Sequence, residues 1–110
     1  LWHQGEGNSS LTRVPIYPAQ LKQLVADFRA DFKKPDLPFV FSQIGQFNPD
    51  YAAFNKMIVR QPVAIPHTAC IVTDGLKNMD KAHFNSAGQR KLGQRYAKAM
   101  LGLLVEKAAK

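Results

Sequence analysis

The stretch on which the fold turns is LPFVFSQIGQFNPD, Leu37 to Asp50. Its first half is short, aromatic and β-branched, and predicts a strand from Pro38 to Gln43. Its second half closes on Asn48-Pro49-Asp50: an N-cap, a proline at the first helical position and a carboxylate in the first turn. A helix should follow through Tyr51, Phe54 and Ile58 to about Arg60. Strand, polar loop and capped helix make half of an alternating β-α pattern, which the flanking sequence extends in both directions.

Upstream, Leu21, Leu24, Val25, Phe28 and Phe32 recur at helical spacing. They predict a helix that begins near Pro15 to Pro18 and stops at Lys34, because Pro35 disfavours a helical residue before it. Downstream, HTACIVT (residues 67–73) is apolar without clean alternation, as a strand covered by helices on both faces should be. The last element is a helix. Ser86 and Gln89 have capping-box spacing, and Leu92, Tyr96, Ala99, Met100, Leu103 and Leu104 form its apolar stripe. With Leu1 and Trp2 as the tail of a further strand, strands alternate with helices, and the expected class is α/β with a parallel sheet.

Open parallel sheets bind ligands beyond the carboxyl ends of their strands. The segments in that position are HQGEGNSS, SQIGQFN and TDGLKNMDKAHF, all rich in glycine, amide and ionisable residues, whereas KKPDLP and RQPVAIP at the opposite edge are proline-rich spacers. Chemistry is thus expected on one edge, with Gln43 and Gln46 as candidates for hydroxyl contacts.

Composition sets outer bounds. At 110 residues and 45% hydrophobic content the chain is one domain's worth of sequence with enough apolar material for a core. No apolar run approaches the roughly 18 residues of a membrane span, and no membrane partner is expected. Cys70 is the single cysteine, so no internal disulfide framework exists, and its apolar setting predicts a packing role. The net charge of +7 would suit a nucleic acid or another polyanion, but the cations are dispersed and alternate with apolar positions on the last helix. That dispersion argues for a solvated face and against nucleic acid as a partner.

Two constellations carry chemistry. In Asp80-Lys81-Ala82-His83 the carboxylate can reach back to the imidazole Nδ1 proton and leave Nε2 free as a general base. The same spacing also describes an ordinary surface loop, and Asp74 is an alternative carboxylate. In Trp2-His3-Gln4-Gly5-Glu6 the glutamine amide can donate to a developing oxyanion, Gly5 admits close backbone approach, and Glu6 can orient its neighbours. Phe84 reads as a core plug. His3 and Glu6 with Asp80 and His83 offer nitrogen and oxygen donors, yet no H-E-x-x-H pair or cysteine set accompanies them, so no metal is expected.

Taken together, WHQGEGNSS, LPFVFSQIG and DKAHFNSAGQRKLGQRYAKAM resemble the carbohydrate esterases that include sialic acid-specific acetylesterases and family-six acetyl xylan esterases, within the SGNH hydrolases. The resemblance spans essentially the whole chain. It implies the C-terminal portion of a single flavodoxin-like three-layer α/β/α domain over residues 1–110, hydrolysing acetyl esters on sugars with no cofactor. It implies His83 as the general base and acid, Asp80 as the carboxylate that orients it, Gln4 as the oxyanion donor, and Gly5 and Glu6 in the same motif. The nucleophilic serine of such proteins precedes the tryptophan motif, so it is expected outside this sequence. Ser9 and Ser10 follow the motif and lack a nucleophile elbow. The implied partners are an acetylated carbohydrate and either a missing N-terminal segment or a second copy covering an apolar sheet edge. The chain alone is expected to be inactive, and relatives acting on polysaccharide are often secreted or periplasmic. The alternative is a non-catalytic binding or interaction module that retains the esterase fold.

Overall fold

A computed structural model describes the backbone of residues 1–109, with side chains through residue 107. Strand β1 (Phe39–Ser42) pairs in parallel with β2 (Thr68–Ile71), Phe39 opposite Thr68 and Ser42 opposite Ile71. On the other side of β1, Trp2 forms an isolated parallel bridge with Phe41, its amide donating to the Val40 carbonyl at 2.8 Å. Helices α1 (Tyr17–Asp31) and α2 (Ala52–Ile58) carry the chain between these parallel segments, and α3 (Ser86–Ala109) follows β2.

All four β1 residues are buried, because helices cover both faces of the strand. Phe39 and Phe41 point into a core with Leu21 and Val25 of α1 and Phe54 and Ile58 of α2. Val40 joins Leu92 and Tyr96 of α3, together with Ile71 and Phe84. The fold is therefore α/β, a parallel sheet between two helical layers, as the alternation predicts. Each fully buried leucine, isoleucine or phenylalanine contributes about 1.5–3 kcal/mol. Cys70 is half-buried against the α1/α2 core, and burial pushes its thiol up to about 12, which suits a packing role.

Three boundaries differ from the sequence reading, each for a local reason. Helix α1 ends at Asp31, ahead of the proline stop. Lys33 adopts a left-handed φ of 54°, and the amides of Lys33 and Lys34 turn back to the carbonyls of Ala30 and Arg29 at 3.1 and 2.9 Å. Asn48 caps as expected, accepting from the Asp50 amide at 3.0 Å, but the first turn, Pro49–Tyr51, is 3-10 before α2 begins. The cap of α3 is Asn85 rather than Ser86. Its Oδ1 accepts the Gly88 amide at 2.8 Å, and Ser86 already lies inside the helix.

The apolar stripe of α3 is also shorter than its sequence suggests, with Leu92 and Tyr96 buried but Leu104 46% exposed. A 24-residue helix is about 36 Å long, whereas a four-residue strand spans about 13 Å. The last turns of α3 therefore extend past the sheet they began on. The same limit leaves Phe32 of the α1 stripe 61% exposed, stacked on Phe28. Among the described residues no helix is long and apolar enough to cross a membrane.

Candidate active site

The loop from Lys77 to Asn85 presents the Asp80–His83 constellation, and it is built as a small closed ring. The Asn85 amide donates to the Lys77 carbonyl at 2.9 Å, the Met79 amide to the His83 carbonyl at 2.9 Å, and Asn78 and Phe84 form an antiparallel bridge. Phe84, 3% exposed, anchors the ring in the α3-side core, and Asn85 passes it directly into the helix. Gly88 is required by this closeness: a Cβ there would sit 2.9 Å from the Lys77 carbonyl oxygen.

Within the ring, Asp80 Oδ1 accepts the backbone amides of Ala82 and His83 at 2.8 and 2.7 Å, a side-chain turn of the kind aspartate favours. The same carboxylate meets His83 Nδ1, at 2.8 Å from Oδ2 and 3.0 Å from Oδ1. A carboxylate at this distance holds the proton on Nδ1 and leaves Nε2 bare when the ring is neutral. The Ala82 amide and then His83 hold Asp80 down to about 2, and the Asp80 contact raises His83 above its ordinary value. The side chains are 67% (His83) and 49% (Asp80) exposed, so the pair is accessible from solvent. Asp74, the alternative carboxylate, lies elsewhere: its backbone carbonyl accepts Arg95 at 2.9 Å.

The tryptophan motif divides between the two faces of the sheet. Gln4 turns toward α1. The Trp2 indole N–H donates to the Tyr17 hydroxyl at 3.4 Å, so Tyr17 must donate onward, and it does so to Gln4 Oε1 at 2.9 Å. Nε2 then donates one hydrogen to Asn8 Oδ1 at 2.7 Å and keeps the second. Gly5 is pressed against α2, where a Cβ would lie 2.2 Å from Phe54 Cζ. Glu6 opens a 3-10 turn, Glu6–Asn8, with Oε1 3.7 Å from His3 Nε2.

His3 turns the other way, toward α3. Its Nδ1 is 2.6 Å from Ser42 Oγ, and its ring lies 5.8 Å from that of Phe84, the residue after His83. Of the groups that raise His83 above its ordinary value, Asp80 comes first and Glu6 last. The structure thus gathers His3, Glu6, Asp80 and His83 on the α3 side of the strand-end edge. Gln4 is held on the α1 side, and among the described residues no hydrogen bond joins it to the Asp80–His83 pair.

The remaining candidates are engaged locally. Gln43 is 8% exposed, with Nε2 donating to the Asn55 carbonyl and Oε1 accepting the Thr73 amide and Gln46 Nε2. It is a scaffold for the loop rather than a sugar contact. Ser9 donates to the Glu6 carbonyl and Ser10 contacts Thr12, and among the described residues neither has a hydrogen bond to His83. Ser42 does contact a histidine, but it is 1% exposed on the central strand, beyond reach of an ester. Among the described residues no cluster of three histidine, cysteine or carboxylate side chains could hold a metal ion.

Asn8, Tyr17, Ser42, Asn85 and Tyr96 were not among the sequence-derived candidates. The one available signal was the alternation of Trp2, His3 and Gln4, which in an extended segment sends His3 to the face opposite its neighbours. Comparison with curated proteins yields no match. Residues 1–102 match the family described as carbohydrate esterase, sialic acid-specific acetylesterase. With that match over nearly all of an α/β chain that carries a carboxylate–histidine pair at its strand-end edge, the protein belongs to this carbohydrate esterase family.

Proposed function

We propose that the protein acts in hydrolysis of acetyl esters on sugars by a Ser-His-Asp mechanism of the SGNH type, with His83 as base and acid and Asp80 as its orienting carboxylate. The observation that carries this reading is the 2.8 Å contact from Asp80 to His83 Nδ1 on an accessible edge. As the family resemblance implies, the nucleophile is a serine outside this sequence; of the serines present, Ser9 and Ser10 are hydrogen-bonded to the Glu6 carbonyl and to Thr12, Ser42 is buried, and Ser86 lies in the first turn of α3.

In the first half-reaction the serine oxygen attacks the acetyl carbonyl while His83 Nε2 takes its proton. The imidazolium so formed is stabilised by Asp80, and the carbonyl oxygen becomes an oxyanion. Gln4, the oxyanion donor that the resemblance implies, keeps one Nε2 hydrogen once Asn8 is satisfied, and to use it must turn from Tyr17 on the α1 side toward the His83 edge when substrate binds. Gly5 serves the close backbone approach of the motif, and Glu6 supports the edge. Collapse of the intermediate returns the proton from His83 to the departing sugar oxygen. Water then repeats the sequence on the acyl-enzyme and releases acetate. The sugar is an O-acetylated sialic acid or acetylated xylan unit, and no cofactor takes part.

Hydrolysis of p-nitrophenyl acetate by the full-length protein tests the assignment. His83→Ala is expected to lower kcat at least about 10⁴-fold, with an unchanged melting temperature. Undiminished turnover in that variant would remove the catalytic reading and leave a binding module on the same fold.

A further inference from the structure

The ester hydrolysis proposed above makes no use of a hydrogen-bond chain on the α3 side of the sheet, in which His3, Ser42, Tyr96 and the Trp2 carbonyl follow one another. His3 Nδ1 lies 2.6 Å from Ser42 Oγ, Ser42 Oγ lies 3.0 Å from the Tyr96 hydroxyl, and that hydroxyl donates to the carbonyl oxygen of Trp2. The direction of the chain follows from counting protons. A carbonyl only accepts, so the single Tyr96 proton is committed to Trp2. Ser42 must then donate to Tyr96, and its own proton is committed in turn. The contact between Ser42 and His3 is left to be made by a hydrogen on His3 Nδ1. Tyr96 and Ser42 are 6% and 1% exposed, so water does not offer either of them another partner.

With Nδ1 protonated, a neutral His3 carries a lone pair on Nε2. Burial lowers its pKa against the raising effect of Glu6, which favours the neutral ring. Nε2 faces Glu6 Oε1 at 3.7 Å, beyond hydrogen-bond reach, and the two side chains are 29% and 31% exposed. Two acceptors side by side cannot satisfy each other; water reaches both in the free protein, and a ligand with two donors can take its place. The contact with Phe84 places this pair beside the residue that follows His83.

We infer that His3 is fixed as its Nδ1–H tautomer by the Ser42–Tyr96–Trp2 chain and forms, with Glu6, a paired acceptor for two adjacent hydroxyls of the substrate sugar. Each hydroxyl donates one hydrogen bond, the first to Nε2 and the second to the carboxylate. The diol's place in a substrate rests on the acetylesterase reading; the tautomer and the acceptor pair do not. His3 is in this sense a specificity-determining residue, separate from the proton-transferring His83.

Long-range ¹H–¹⁵N correlation on ¹⁵N-histidine-labelled full-length protein reads the tautomer directly. The expected pattern has Nδ1 protonated and Nε2 bare, and Ser42→Ala shifts His3 toward the Nε2–H form. An Nε2–H pattern in the unsubstituted protein overturns the inference. The ligand is tested by titration with free N-acetylneuraminic acid, whose side chain carries adjacent hydroxyls, against its periodate-shortened, borohydride-reduced analogue, in which that diol is cut away. Saturable movement of the His3 Nε2 resonance is expected with the intact sugar, with affinity at least tenfold weaker for the shortened one; in His3→Phe, which lacks that resonance, calorimetric titration with the intact sugar is expected to show the same loss. Equal responses to the two sugars, or an equal response to methylammonium chloride, overturn the diol assignment. p-Nitrophenyl acetate turnover in His83→Ala decides the acetylesterase reading independently of both measurements.

Discussion

The two faces of the sheet are built from different materials. The α1/α2 face is a dense apolar layer in which Phe54 meets Tyr17 edge-on at 4.8 Å and closes over Phe39, Phe41, Leu21 and Ile58. The α3 face has fewer large side chains and contains a polar seam, from Ser42 through Tyr96 to the edge where His3 lies. One face is a scaffold, and the other brings hydrogen-bonding groups to the strand ends. Gln4 and His3 are adjacent in sequence yet belong to these different regions.

Asp80→Asn gives the largest effect expected from this division, because it strikes the α3-side edge without touching either core. An amide at that position no longer fixes the imidazole tautomer or stabilises the imidazolium, so kcat should fall by about 10⁴ with folding unaltered. The pH behaviour changes as well. His83 titrates above 6.5 and Asp80 at about 2 rather than 3.8. The pair's stabilising contribution is therefore complete between pH 3.8 and 6.5. The histidine part fades as pH rises through the elevated His83 value, and the aspartate part as pH falls through about 2. In solvent this contribution is small. As a base His83 works when neutral, so activity climbs with pH through its raised value. NMR titration of Asp80→Asn should find the His83 midpoint moved back toward 6.5.

Phe54→Ala strikes the scaffold instead. Removing a fully buried ring should cost about 3–5 kcal/mol in denaturant unfolding of the full-length protein. Because Gly5 is seated against this ring, KM and kcat should also worsen, whereas the His83 titration midpoint should not move. A shifted His83 midpoint would mean that the two faces are coupled more tightly than their separate cores suggest.

Smaller effects belong to the ends of the two long helices. Asn85→Ala removes the side-chain cap of α3 and should cost about 1 kcal/mol; the backbone amide that closes the His83 ring on Lys77 remains, so activity should fall only as far as the loosened first turn of α3 disturbs that ring. Lys33→Gly lies on the scaffold side, remote from the strand-end edge. It relieves a left-handed residue at φ 54°, and thermal unfolding should register a gain of up to about 1 kcal/mol with kinetics unchanged. Altered kinetics in Lys33→Gly would contradict the assignment of chemistry to one edge.

Some of this organisation is written locally in the chain. The alternation of capped helices with short β-branched segments suffices for a parallel α/β sheet, since parallel strands need a crossover and helices supply it. Asp80 and His83 are legible for a similar reason: three residues in a turn bring carboxylate and imidazole together whatever surrounds them. The cap of α3 falls one residue before the position that the sequence suggests, because Asn85 and Ser86 are both good caps and the ring closure from Asn85 to Lys77 selects between them.

Distance along the chain marks where local reading ends. His3 and Ser42 are 39 residues apart, and Tyr96 and Trp2 are 94 apart. Their contacts exist only once Trp2 has paired with Phe41 and α3 has packed on the other face of β1. That pairing register also decides that His3 faces α3 while Gln4 faces α1, since a shift by one residue would exchange them. Local backbone chemistry determines the elements and the Asp80–His83 pair; the long-range pairing of buried strands determines which of the motif's polar side chains share a face.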